Sequence, residues 1–372
     1  MHSAADNTDW VASLSPWPEE FGLERMRCLL AELGDPQHAF PAIHVVGTNG
    51  KTTTTRMCAA LLSAQGATVG AYTSPHATGW EERIQVNGEA VDLERALARI
   101  RGQAEALGAT QFEALTAAAL AEFASVGVDV AVVEAGLGGR HDATNVLRAP
   151  VVVLTNVALE HTEVLGETRE EIAAEKLAVV ASGATVVLGE PDWADAAREA
   201  GAGAIVVAGA SNIALAVAAA ESFLGGPVDP DVAREVAVPG RLEQHGEAPF
   251  EIWDGAHNLA GVGYALARLP ARRYVVVASI LADKDVDGML AALSALGDVL
   301  VAARSTNPRA LAADDLAGRG AHFFERVETV DEPAEALKLA RDLAGPDGAV
   351  LVTGSLYLLA DLAAVRPQPC VP

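Results

Sequence analysis

Residues 41–65 read PAIHVVGTNGKTTTTRMCAALLSAQ, and this stretch decides the fold. Segment 41–46 is an apolar run that fits a buried strand, and the apolar residues of 52–65 recur at helical spacing. A glycine loop, GTNGK, lies between them. Strand, glycine loop and helix form the context a phosphate-binding loop requires. Glycines let the backbone amides point inward, the helix adds its positive end, and a lysine supplies a point charge. Lys51 is that lysine, and a hydroxyl at Thr52 or Thr53 can ligate Mg2+. The common spacing of such loops has a further glycine where Val45 stands, so the general pattern fails by one residue. An ordinary strand–helix turn stays open on this motif alone.

Lysine usage points to the same place. The chain has four lysines among its 26 basic residues: Lys51, Lys176, Lys284 and Lys338. Lysine offers a compact ammonium for phosphate and an amine that can lose its proton and react, neither of which arginine provides. Lys176 lies in IAAEK (172–176) and Lys284 in ADKD. Survival on a solvated surface is the competing reading, and the preferred one for Lys338.

Outward from the loop, short apolar runs alternate with helical patterns. Strands are expected at 68–72, 128–134, 151–156, 184–188 and 204–207, and helices at 92–107, 112–125, 168–181 and 212–224. Strands apolar throughout imply a parallel sheet covered on both faces. Residues 226–240, rich in Pro, Gly and charge, read as a linker. The rhythm restarts with strands 250–253, 274–280, 298–303 and 349–353 and helices 286–296 and 333–344. The expectation is α/β: a doubly wound, mainly parallel phosphate-loop domain (1–225), then a smaller Rossmann-like α/β domain (241–372).

Composition bounds the partners. Net charge is −24, which argues against a nucleic-acid backbone or an anionic membrane surface. It leaves room for a nucleotide, which needs only a nest of amides and one or two cations. No apolar run reaches a membrane span, and the start, MHSAADNTDW, has no secretion signal, so the cytoplasm is expected. Cys28, Cys58 and Cys370 are too few and scattered for a disulfide framework or zinc site.

Polar residues at the carboxyl ends of parallel strands meet at the ligand crevice. Ser74 follows the strand 68–72, Glu134 ends 128–134 ahead of GLGGR (136–140), and His161 follows 151–156. Beside a phosphate loop they form a plausible Mg2+ set. In the second domain DGAHN (254–258) brings an acid, an imidazole and an amide into one turn.

Taken in order and spacing, these pieces resemble one family. Added to them are GLERM (22–26), YTSPH (72–76) with ERIQVNG (82–88), TQFEALTAAAL (110–120), VVEAGLGGRHDATNV (132–146), EHTEVLG (160–166), PGRLE (239–243) and TGSLYL (353–358). The chain looks like a folylpolyglutamate synthase/dihydrofolate synthase, within the Mur ligase superfamily.

The resemblance implies a nucleotide-binding central domain carrying an acceptor pocket, and a C-terminal domain for glutamate ligation. Thr48, Asn49, Gly50, Lys51 and Thr52 would wrap the phosphates of ATP. Thr52, Ser74, Glu134 and His161 would hold one or two Mg2+ ions. Lys176 looks like the family's carbamylated lysine; a surface lysine paired with Glu171 or Glu175 is the alternative. Lys51, Lys176 and His161 are then the catalytic candidates. Asn212 would sit on the adenine side, Arg241 would reach the phosphates, Asp254 would hold the ribose, and His257 would lie near the nucleotide. Thr110, Gln111, Phe112 and Glu113, with His141, Asp142 and Ala143, match stretches that line the pteroate pocket. The reaction would be ATP-dependent joining of L-glutamate to dihydropteroate or a folate, by a monomer.

The chain also departs from the pattern. It reads GTNGKTTT where the family has GTNGKGS, Glu160 where an Asp is usual, EKLAVV for EKAGI, and HDATN for LDATN, and it is short. The KTTT loop leans toward another Mur-type ligase with a cell-wall or unrelated carboxylate as acceptor. A non-catalytic nucleotide-binding protein is the other alternative.

Overall fold

The structure is a computed structural model that describes residues 7–16, 18 and 20–365. The first six residues, read above for a signal, and Cys370 lie outside the described residues.

The chain divides into two compact units. One comprises residues up to Pro75 and Trp80–Val236; the other comprises His76–Gly79 and the residues from Ala237 on. The first is built on β1 (Ala42–Val46), β2 (Val69–Tyr72), β3 (Ile84–Val86), β4 (Glu89–Ala90), β5 (Val130–Glu134), β6 (Val151–Leu154), β7 (Thr185–Leu188) and β8 (Ala204–Val207). Their order in the sheet is β4-β3-β2-β5-β1-β6-β7-β8. Pairing is parallel from β2 to β8, while β3 and β4 add an antiparallel hairpin at one edge.

Alternation along the strands sorts side chains between two faces. Ile43 and Val45 of β1 pack with the helices Lys51–Ala64 and Asn212–Leu224 on one face. Ala42 packs on the other face with the helices Leu93–Leu107 and Gln111–Val126, and Val46 with the helix Arg169–Leu177. The region expected to be a linker differs from that expectation. It contains the helix Pro230–Arg234, and Val228 and Ala233 are buried in the core around Lys51–Ala64. Burial of these side chains draws the segment into the first unit, so the boundary falls at Val236.

β1 is central because both connections out of its neighbourhood diverge there. The chain leaves β1 toward β2 on one side, and β5 and β6 then flank it on either side. Such a reversal opens a crevice at the carboxyl ends of the strands. Glu134 and the residues just after β1, β2 and β6 therefore converge.

The second unit holds β9 (Glu243–Glu247), β10 (Phe250–Trp253), β11 (Tyr274–Ala278), β12 (Val299–Ala302), β13 (Arg326–Thr329) and β14 (Ala349–Thr353), in the order β13-β12-β11-β14-β10-β9. All neighbours are parallel except the β9–β10 hairpin. Among the described residues no helix is long and apolar enough to cross a membrane.

An ion pair between a buried carboxylate and a part-exposed arginine fastens one helix to this second sheet. Glu251 on β10 is buried, and Arg341 on the helix Pro333–Ala344 grips it with two bonds, Nε to Oε2 at 2.6 Å and a terminal guanidinium nitrogen to Oε1 at 2.9 Å. Trp253 Nε1 donates to the same carboxylate at 2.8 Å. Arg341 is part-exposed and solvent screens the pair, but its loss leaves the buried Glu251 carboxylate short of donors, so Arg341→Ala is expected to lower unfolding stability by about 1.5 kcal/mol. Urea melts of the two proteins check this; a loss under about 0.5 kcal/mol would mean the pair carries no net stability.

Candidate active site

The phosphate loop is held open from outside. Gly47 and Gly50 have φ of 145° and 83°, values only glycine adopts readily. A Cβ on Gly47 would collide with the Thr155 hydroxyl, and one on Gly50 with the Asn212 carboxamide. The sequence-predicted adenine-side residue Asn212 thus lies directly over the loop. Thr155 Oγ1 donates to the Asn49 carbonyl at 2.7 Å, and Asn156 takes the Asn49 amide on Oδ1 at 3.0 Å. Thr48 N reaches the Asn156 carbonyl at 3.0 Å, and Thr48 Oγ1 accepts from Ala158 N at 3.1 Å. Thr155 and Asn156 were not singled out from sequence. Two polar residues capping the apolar run 151–154 were the available signal. Lys51 begins the helix and turns Nζ back to the Thr48 carbonyl at 3.1 Å.

Glu134 is 1% exposed at the end of β5. Its Oε1 accepts from Thr52 Oγ1 and its Oε2 from Ser74 N, each at 3.0 Å. One carboxylate thus joins the phosphate loop to the strand end after β2. Among the described residues no three His, Cys, Asp or Glu side chains converge as a self-sufficient metal site. A carboxylate with two hydroxyl-bearing residues beside a phosphate loop still suits Mg2+. That ion uses one or two carboxylates and takes its remaining oxygens from phosphate and water.

His161, the other residue expected at the metal, lies beside two carboxylates. Its Nε2 lies 3.6 Å from Glu160 Oε1 and its Nδ1 3.9 Å from Glu163 Oε1. Its φ is 50°, a left-handed conformation that costs a residue with a Cβ and therefore marks a constrained position.

Lys176 is not a surface lysine. It is 4% exposed, and its Nζ donates to the Gly47 carbonyl at 2.9 Å. The two candidate partners on its own helix are engaged elsewhere. Glu171 closes a capping box with Thr168, and Glu175 binds Arg140 through Nε at 3.1 Å and through the backbone amide at 3.0 Å. A Cβ on Gly139 would sit 2.6 Å from the Lys176 carbonyl. The GLGGR loop therefore runs backbone to backbone along the end of this helix. Burial first, and the Lys51 charge second, bring the Lys176 amine down from 10.5 to about 7, while Glu160, Asp142 and Glu175 oppose the shift.

On the expected acceptor side several residues also make local structural contacts. Thr110 and Glu113 form the capping box of the helix Gln111–Val126, and Glu113 takes Arg25 Nε on both oxygens at 3.1 and 2.8 Å. Gln111 Nε2 donates to the Val11 carbonyl at 3.1 Å. Phe112 packs near Tyr72, ring centres 6.0 Å apart, and fills the space a side chain at Gly136 would need. His141 is exposed, whereas Asp142 and Ala143 are buried. Burial pushes the Asp142 carboxyl up, against hydrogen bonds from Thr144, Leu137 and Gly136.

In the second unit Asp254 accepts from Leu242 N and Ala256 N, both at 2.9 Å, bracing a backbone turned to φ 49° at Leu242. Burial raises its carboxyl while the nearby Arg241 lowers it. His257 Nδ1 lies 2.9 Å from the Gly255 carbonyl. Lys284 Nζ lies 3.3 Å from Asp283, and Lys338 is exposed.

The depressed Lys176 value sets a pH dependence. Between about 7 and 10.5 the unfolded chain holds a proton that the folded amine has lost. Stability therefore rises with pH across that window and is flat and lowest below it. Lys176→Met removes the dependence. The stability of the natural protein relative to Lys176→Met is expected to rise by a few kcal/mol, on the order of one per pH unit, from pH 7 to about 10. Paired denaturant melts in metal- and bicarbonate-free buffer measure it; parallel curves would contradict the assignment.

Two family models match the chain: the Mur ligase middle domain over residues 45–223, and the Mur ligase glutamate ligase domain over residues 240–356. The dihydrofolate synthase/folylpolyglutamate synthase of Mycobacterium tuberculosis is 35% identical, the match covering 91% of this chain and 89% of that protein. Escherichia coli FolC in complex with DHPP and ADP superposes with a TM-score of 0.86 at 31% identity, over 98% of this chain and 97% of that one. The bifunctional folylpolyglutamate synthase/dihydrofolate synthase of Yersinia pestis, complexed with AMPPNP and a Mn ion, gives 0.86 at 31% identity, over 98% of both chains. The chain belongs to the Mur ligase family, in its dihydrofolate synthase/folylpolyglutamate synthase branch.

Proposed function

We propose that this chain uses ATP to join L-glutamate to the carboxylate of dihydropteroate, of a folyl-(poly)glutamate, or of both. The observation that carries the reading is the convergence on the phosphate loop. Lys51, the Thr52–Glu134–Ser74 cluster and the buried Lys176 all meet the Gly47–Thr52 backbone or its neighbours. The same family holds ADP with DHPP in one relative and AMPPNP with Mn in another.

The γ-phosphoryl group passes to an oxygen of the acceptor carboxylate, giving an acyl phosphate and ADP. The amine of glutamate attacks the acyl carbon, the C–O bond breaks, and phosphate leaves. Phosphoryl transfer asks mainly for positioning and for neutralised charge. The loop amides and Lys51 supply that for the phosphates. Glu134, with Thr52, Ser74 and His161, would hold the divalent cation, which when bound offsets phosphate charge.

Lys176 acts here as a carbamate. A buried amine near 7 is substantially unprotonated at neutral pH. The ammonium first loses one proton; the neutral nitrogen then forms a bond to the carbon of CO2 and gives up a second proton, so that a cation becomes an anionic carbamate. That sign suits a residue next to the loop that carries the cation. Arginine cannot undergo this reaction.

Lys51→Ala is expected to abolish ATP turnover while melting near the natural protein, and Lys176→Arg to retain under about 1% of the turnover while staying folded at the assay temperature, its melt lowered by a buried guanidinium that cannot shed its charge. ADP release with acceptor and glutamate, run beside thermal melts, checks both. Retention of a tenth of the activity by Lys51→Ala, or full activity of Lys176→Arg, would overturn the respective role. Short carboxylic acids are expected to restore part of the rate to Lys176→Ala.

A further inference from the structure

His44 is a polar side chain in the middle of β1, the strand that delivers the phosphate loop, and it is fully buried. Its register partners are Val133 on β5 and Val152 on β6. Packing alone would be served by valine there, and burying an imidazole costs free energy unless it is hydrogen-bonded. Its Nε2 lies 2.8 Å from Thr144 Oγ1. The Thr144 hydroxyl gives its own proton to Asp142 Oδ1, so the imidazole must be the donor to Thr144. Nδ1 is then the bare nitrogen, and it has no partner among the described residues. Burial lowers the imidazole to about 4, which keeps it neutral in this one tautomer.

The chain of bonds continues. Asp142 Oδ1 also takes Thr144 N at 3.0 Å, and Asp142 Oδ2 takes Leu137 N at 2.8 Å. Leu137 adjoins Gly136, against which Phe112 is packed. One path of contacts thus links β1 to both edges of the loop 136–145 and to Phe112. His44 lies three residues before Gly47, the residue held by Lys176.

We propose that His44 is a positioning residue: through Thr144 and Asp142 it fixes the acceptor-side loop 136–145 relative to the strand that carries the phosphate loop. The proposal rests on the reading that this loop borders the pteroate or folate acceptor. In-line transfer to a carboxylate is sensitive to such an offset. His44 touches no reacting atom, so its loss should show in acceptor binding rather than in ATP binding.

His44→Leu keeps the apolar volume and removes the donor. His44→Gln places an amide nitrogen where Nε2 was. His44→Leu is expected to raise KM for the acceptor about tenfold while KM for ATP stays within about twofold, and His44→Gln to recover most of the difference. Hydrogen–deuterium exchange on the unliganded proteins gives a readout independent of activity. The amides of Leu137 and Thr144 should lose protection in His44→Leu and keep it in His44→Gln. Should His44→Leu not fold, Thr144→Val breaks the same link and is expected to behave alike. Unchanged acceptor KM with unchanged exchange, or an equal rise in KM for ATP, would overturn the proposal. Failure of the natural protein to turn over any pteroate or folate would overturn the functional reading instead, and the exchange experiment would still decide the positioning.

Discussion

The bond from Lys176 Nζ to the Gly47 carbonyl ties together parts of the chain 129 residues apart. Gly47 opens the phosphate loop, and Lys176 lies near the end of a helix whose last turn carries the GLGGR backbone. The amine must be buried to make this bond, and burial with Lys51 nearby makes it easy to deprotonate. A positional tie and a chemical property therefore have one origin. The adjacent Glu175 serves the opposite direction by gripping Arg140, so neighbouring residues on one helix anchor two different loops.

Glu134 plays the corresponding part at the other side of the crevice. A buried carboxylate accepts the hydroxyl of Thr52 and the amide of Ser74. Both donors follow strands flanking or leading into the switch in sheet order at β1. The polar groups here are bonded to one another and to backbone, which is what permits so much charge at the base of an apolar sheet.

Much of this was legible in the sequence. The strand 349–353 stands where its unbroken apolar run put it, because a strand buried on both faces leaves no other periodicity, and 204–207 stands there too although it is an edge strand with exposed side chains. The phosphate loop and Lys176 were visible through the rarity of lysine. The hairpin of β3 and β4 was missed: its strands have three and two residues, too few for a period. Yet Asn87 and Gly88, with φ of 51° and 83°, form a turn whose Asn-Gly signature was there to read. The helix Pro230–Arg234 was lost behind Pro, Gly and charge, and only burial of Val228 and Ala233 reveals it. Thr155 and Asn156 were hidden for another reason: their role as braces depends on which strand lies beside β1, and strand order is not local information. The capping role of Thr110 and Glu113 was legible as a T-x-x-E signature ahead of an apolar run.

The central claim is that ATP activates the acceptor's carboxylate before glutamate attacks. Acceptor labelled with 18O in that carboxylate tests it most directly. Mass spectrometry of the inorganic phosphate released with ATP and L-glutamate should find one labelled oxygen per phosphate, about one for each amide formed, because the acyl C–O bond breaks after phosphorylation. Phosphate without label, or ADP release indifferent to acceptor and glutamate, would contradict the account.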